Sequence, residues 1–192
     1  MSVEKPHILQ DGRDMVLSLL ALTAIIALSV GMTGLCSFNP GGPEIREAPV
    51  RTVDVDTVLS MDARGLPFPV RNPNPELPED WNPNSVRRTI VGNDQATVAG
   101  WVNGTKYLQL TQTNAPMDAV SFGPDQKSRI LDGIKDVNGT EWQVYKPVEG
   151  GRLMWAADLG QVRVLIDGIG EEPDYRMFAE IVQRLEPLPA EG

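Results

Sequence analysis

Hydrophobic and polar positions alternate along this chain in distinct regimes. From Met15 to Cys36 no side chain carries a charge. As a helix, with about 1.5 Å of rise per residue, that run reaches roughly 33 Å, against a bilayer hydrocarbon core of about 30 Å. From Ser85 to Asp167 the pattern turns to period two, as in half-buried strands. Short stretches of helical spacing come before and after the strand region.

The run 15–36 predicts a single uncleaved membrane-spanning helix, with Met15, Leu19, Ile26 and Val30 among its anchoring positions. A core helix rarely stays apolar on every face for six turns. A cleaved signal is the main rival, but its apolar region is about 7–15 residues and ends in small residues. Here the run is longer and no Ala-x-Ala follows. A lipoprotein signal is the third reading, because Thr33-Gly34-Leu35-Cys36 sets a cysteine where lipid would attach; Leu35 stands where such signals carry Gly or Ala. Arg13 abuts the run and Lys5 precedes it, whereas the first basic residue beyond is Arg46. That bias puts the N-terminus inside and the domain outside the cytoplasmic membrane. The expected organisation is a cytoplasmic tail 1–14, the transmembrane helix 15–36 and a Pro/Gly spacer 37–51. An extracytoplasmic domain 52–188 follows. Glu186–Gly192 reads as disordered, and 189–192 are set apart from the domain as a disordered tail.

Within the domain, Asp54 or Asp56 can cap a helix running to about Arg64, with Gly65 in the left-handed terminal position. Residues 72–84 hold four Pro and four Asn around Trp81, a loop that folds back on the core through that ring. Ser85–Val91, Thr97–Val102 and Thr105–Thr113 are predicted strands, the last two joined at Asn103-Gly104. Leu108 and Leu110 share one face; Tyr107, Gln109 and Thr111 share the other. Ala115–Phe122 is predicted as a short helix with Pro116 at its first position. Ile130–Val137 and Thr140–Val148 pair across Asn138-Gly139, and Arg152–Asp158 and Val162–Asp167 pair across Gly160. A last helix runs from Pro173 to about Leu185, with Tyr175, Phe178, Val182 and Leu185 as its apolar stripe. The fold class is α+β: one antiparallel sheet of about seven strands flanked by two helices.

Composition narrows the chemistry. Of 17 Lys+Arg and 26 Asp+Glu, only Lys5, Arg13, Glu4, Asp11 and Asp14 precede residue 37, so residues 37–192 carry a net charge of −8. Such a domain is a poor partner for nucleic acid and for anionic lipid. The one His, His7, falls in the tail and the one Cys, Cys36, at the membrane edge. The domain therefore has no Ser-His-Asp triad, no thiol nucleophile and no His/Cys metal site. No internal disulfide is possible. No cofactor and no metal are expected.

Several short motifs together carry a resemblance. They are Gly12-Arg13-Asp14-Met15 entering the apolar run, Leu66-Pro67-Phe68-Pro69-Val70-Arg71, and Trp81-x-Pro83-Asn84-Ser85-x-Arg87. Gly100-Trp101-Val102, Leu110-Thr111-Gln112, Trp142-x-Val144-Tyr145 and Asp158-Leu159-Gly160-x-Val162-Arg163-Val164 continue it. Over nearly its whole length the chain resembles a family of actinobacterial membrane-anchored proteins of unknown function. The resemblance implies that topology and a corynebacterial or mycobacterial envelope setting, and it supplies no catalytic residues.

The leading expectation is therefore an interaction protein rather than an enzyme: an accessory or scaffolding subunit of a membrane protein complex, with the respiratory supercomplex or envelope-building machinery as hosts. Phe68 and Trp81 on the arm 67–84, and Tyr107 and Gln109 on the sheet, are the candidate docking residues, although packing on the domain's own core is the better account of the two arm aromatics. A binding module for lipid or cell-wall glycan is the alternative, using the polar sheet face of Tyr107, Gln109, Thr111 and Gln112. For an enzyme, only carboxylate chemistry at Asp158, Asp167, Glu171 and Glu172 remains.

Overall fold

The computed structural model describes residues 12–33 and 53–190; in the first stretch, side chains are described from Met15 to Ser29. The chain divides into two compact units, Met1–Ala48 and Pro49–Gly192. His7, Cys36 and the spacer 37–51 lie outside the described residues.

In the first unit, helix α1 covers Gly12–Thr33. Its side chains from Met15 to Ser29 are exposed, Leu19 and Ile26 among them; that of Val30 lies outside the described ones. Thr23 and Ser29 donate their hydroxyls to the carbonyls of Leu19 and Ile25, which satisfies these polar groups within the helix. Among the described residues no helix is long and apolar enough to cross a membrane.

Among the described residues the second unit holds seven strands: β1 Asn82–Val91, β2 Asp94–Asn103, β3 Lys106–Thr113, β4 Arg129–Val137, β5 Thr140–Pro147, β6 Leu153–Asp158 and β7 Arg163–Ile169. Its helices are α2 Val55–Gly65, α3 Met117–Val120 and α4 Glu172–Arg184. All the strands join one antiparallel sheet in the order β1-β2-β3-β7-β6-β5-β4. The period-two pattern predicted this α+β arrangement. One hairpin turn escaped it: Val91 pairs directly with Asp94 across Gly92-Asn93, so β1 and β2 run longer than expected.

The first sheet face carries the main core, where α2 and α4 both lie. Val55, Leu59 and Ala63 recur every four residues on α2 and are buried with Tyr175, Phe178 and Val182 of α4. Trp101, Leu108, Leu110, Trp142, Trp155 and Ile166 rise from the sheet to meet them. Asp54 caps α2 by accepting from Thr57 N at 3.0 Å. Gly65 does not take the left-handed position expected of it. The helix ends through Leu66, extended at φ −102 and ψ 149, and what Gly65 supplies is space: a Cβ there would lie 3.0 Å from Arg88 Nη2. At α4, Glu171 and Asp174 form a reciprocal capping box.

Beyond α4 the chain stays packed. Leu188 N donates to Val70 O at 2.8 Å, and Arg71 Nε donates to Leu185 O at 3.0 Å. The loose segment expected from Glu186 is thus held as far as Leu188; Glu191 and Gly192 lie outside the described residues.

The second face is covered by less. Helix α3 is one turn, shorter than the predicted 115–122, and Pro116 precedes it rather than entering it. It closes a small core of Val91, Ala96, Ala115, Val120, Tyr145, Met154, Ala156 and Leu165. The loop after α3 then spans the sheet. Gln126 Nε2 donates to Ile90 O of β1, while Arg129, three residues on, begins β4 at the opposite edge. The sheet is therefore curled, and the second face is its concave side.

Candidate functional site

Alternation along β3 decides what the concave face displays. Leu108 and Leu110 go to the main core, so Tyr107, Gln109 and Thr111 turn to the second face, as expected. Gln112 does not join them. It lies on the first face, where its Oε1 accepts from Arg71 N at 2.7 Å and its Nε2 donates to Arg71 O at 2.8 Å. The polar face predicted for a glycan thus loses one member to the folding of the arm.

The antiparallel β3–β7 register sets Asp167 opposite Gln109. Tyr107 Oη donates to Gln109 Oε1 at 2.9 Å, and Gln109 Nε2 donates to Asp167 Oδ2 at 2.8 Å. Arg152 Nη1 stands 3.5 Å from Asp167 Oδ1, and its guanidinium lies 5.3 Å from the centre of the Tyr107 ring. Four side chains thereby close a ring: tyrosine, amide, carboxylate, guanidinium. Two glycines make the room. A Cβ on Gly100 would lie 2.6 Å from Tyr107 Oη, and one on Gly168, at φ +156, would overlap the Tyr107 carbonyl.

Asp167 is only 2% exposed, and burial raises its pKa above the usual aspartate value. The Gln109 hydrogen bond and the charges of Arg152 and Arg129 oppose that rise without cancelling it. Arg129 lies on the same side. Its buried guanidinium donates to Asp125 through both Nη atoms at 2.8 Å, and to the carbonyls of Phe122, Lys127 and Arg152. Burial works to raise Asp125 as well, but its bonds to Arg129 outweigh this and hold it below its usual value. From the other face, the Tyr175 hydroxyl sits 3.1 Å from the carbonyls of both Leu153 and Gly168. Burial first, then the Asp167 charge, drives that phenol far above its ordinary range.

The network is inward-looking. Gln109 is 4% exposed and uses both ends of its amide within the ring. What reaches solvent is the outer edge of Arg152 and part of Tyr107. The four candidate carboxylates stand in three separate places. Asp158 pairs with Arg163 at 3.2 Å, near the turn of the β6–β7 hairpin, and Asp167 lies at its open end. Glu171 caps α4, where Glu172 accepts from Lys135 at 2.9 Å.

The docking candidates of the arm point inward. Phe68 and Trp81 are 4% and 5% exposed, and Trp81 meets Phe178 edge to face at 5.1 Å. Asn72 and Asn74 tie the arm to Asp56, and Trp101 Nε1 donates to Asn74 Oδ1. Sequence reasoning missed Arg152, Arg129 and Asp62 as buried or network residues. The signal it had was Asp167, a carboxylate at a strand position between Ile166 and Gly168.

The profile of a family described as a protein of unknown function (DUF4245) matches residues 7–182. The chain belongs to that family. No curated protein and no solved structure matches this DUF4245 chain. Its described residues contain no group of three or more His, Cys, Asp or Glu that could hold a metal ion.

Proposed function

We propose that this DUF4245 chain is a membrane-tethered interaction protein whose domain stands outside the cytoplasmic membrane. It works by contact with a membrane protein complex, as an accessory or scaffolding subunit, and not by turnover. The observation that carries the reading is α1: every described side chain from Met15 to Ser29 is exposed and none is charged. A helix apolar on all sides needs an apolar surrounding. Its backbone, Gly12–Thr33, rises through about 33 Å; the described residues alone are not long and apolar enough to cross a membrane, and the reading takes the whole uncharged run 15–36 as the span. Arg13 at its start favours the N-terminus inside. An actinobacterial envelope, with the respiratory supercomplex or envelope-building machinery as host, is the setting we assign.

Protease added to spheroplasts of a strain carrying a C-terminal tag should remove the domain, and the membrane fraction should retain a fragment with the native N-terminus. Full protection of the tag, or mature protein lacking residues 1–36, would sink the tether and topology. Exchanging residues 12–36 for an unrelated anchor should impair function more than replacing Asp158, Asp167, Glu171 and Glu172 together. The reverse order would favour an enzyme.

A further inference from the structure

The concave face carries a second feature, away from the closed polar ring. Large apolar side chains stand in solvent there: Leu131 and Ile134 on β4, 55% and 57% exposed, and Phe122, 47% exposed, in the loop after α3. Register fixes where the two β4 residues point. Leu131 lies opposite Tyr145 and Ile134 opposite Gln143. Tyr145 belongs to the small core under α3, so both β4 side chains flank that core on the second face. Next to them, Met117, Gln143 and Leu159 line a cleft of about 480 Å³ together with Glu141 and Asp158.

Towards the hairpin tip the same face turns acidic. Asp136 lies directly opposite Glu141, both exposed. Like charges paired across strands oppose each other, and an incoming cation relieves that repulsion. Asp118 adds a third exposed carboxylate beside Met117. Along β4–β5 the surface therefore reads apolar, apolar, acidic.

That order selects the occupant. A second copy would bring another net-acidic surface rather than the cations that these carboxylates attract, and anionic lipid is repelled by the same charge. Strand addition along the free edge of β4 is also obstructed. The register slips at Asp132, Arg176 donates to the Asp136 carbonyl, and Lys135 is held by Glu172. We propose that the face formed by Phe122, Leu131 and Ile134 docks a basic amphipathic segment of a partner protein. The apolar side of that segment covers the three side chains, and its Lys or Arg residues meet Asp118, Asp136 and Glu141. The proposal rests on the interaction reading above and adds the surface and the chemistry of the partner.

The test uses the full chain in nanodiscs of uncharged lipid and three synthetic peptides: a Leu/Lys amphipathic helix, its Leu/Glu counterpart and a Lys/Ser peptide of equal charge. The Leu/Lys peptide should bind, and the other two at least tenfold more weakly. Leu131→Ser with Ile134→Ser should weaken binding at least tenfold. Asp136→Asn with Glu141→Gln should weaken it several-fold and flatten its dependence on salt. Ile169→Ser, at another exposed apolar residue, should change nothing. A photo-crosslinker at Ile134 should capture the Leu/Lys peptide while one at Ile169 does not, a readout independent of the serine variants' folding. Equal binding to the double-serine variant, equal binding of the Leu/Glu peptide, or capture from Ile169 instead would overturn the proposal. A dimer of the chain in uncharged detergent that Leu131→Ser with Ile134→Ser dissolves would overturn it in favour of a second copy. A protected tag in the spheroplast experiment refutes the topology and leaves the peptide result standing; failure of the peptides refutes the surface and leaves the topology standing.

Discussion

Replacing Asp62 should loosen the joint between α2 and the first two strands. Asp62 is 2% exposed; its Oδ1 accepts from Arg88 Nε at 2.7 Å and its Oδ2 from Thr97 Oγ1 at 2.6 Å. In Asp62→Ala the two donors fare differently. The Arg88 side chain is 53% exposed and regains water, so its loss counts as a surface pair, at most about 1 kcal/mol. Thr97 is fully buried, and a buried hydroxyl without a partner costs about 1–3 kcal/mol. The sum is a loss of about 3 kcal/mol. Thr97→Val alone should cost about 2 kcal/mol, because it strips one donor from a buried carboxylate. With both changed, the orphaned hydroxyl no longer exists, and the double variant should be more stable than additivity gives by about 1–2 kcal/mol. Urea unfolding of the full chain in uncharged micelles measures this, followed by the fluorescence of Trp81, Trp101, Trp142 and Trp155, all buried. Additivity within about 0.5 kcal/mol would show that the two side chains do not act as one joint.

Two further outcomes follow from the concave face. Because burial raises the folded-state pKa of Asp167, its favourable contribution is complete below the ordinary aspartate value and is lost as pH rises through the raised one. Asp167→Asn should therefore gain on the parent chain as pH climbs from about 3 to 7, seen in denaturation midpoints across that range; a gap that is constant, or that widens towards acid, would contradict this sign. Gly168→Ala should cost about 3 kcal/mol, since its Cβ would overlap the Tyr107 carbonyl, while Gly104→Ala, at φ +56 with open space around it, should cost only about 1–2 kcal/mol; equal losses in thermal unfolding would mean that β3 and β7 yield easily.

Much of the fold was legible because alternation and turn chemistry are local. Leu108 and Leu110 against Tyr107 and Gln109, or Asn138-Gly139 between two apolar runs, specify strand faces and hairpins without reference to the rest of the chain. The stripe of Tyr175, Phe178 and Val182 likewise placed α4 on a core. The site was legible only in part. Tyr107 and Gln109 lie on the concave face as expected, but Gln112 turns the other way to clamp the Arg71 backbone. Phe68 and Trp81 serve the core, the use the sequence favoured for both over docking.

The sequence by itself determined the uncharged run at the N-terminus, the seven strands, the side of the sheet on which Leu108 or Gln109 stands, and a domain without His or Cys. Each depends on composition or on spacing within one element. Only the tertiary structure decided that β3 lies beside β7, which brings Asp167 to Gln109 across 58 positions of chain. The curl that lets Gln126 reach Ile90 while Arg129 begins the opposite edge was also settled there. Strand order and curl arise from burying the faces of distant segments against one another, and no local pattern encodes which distant segment will be the neighbour. The ionisation of Asp167 follows the same logic, because its burial is created by residues far away in the chain.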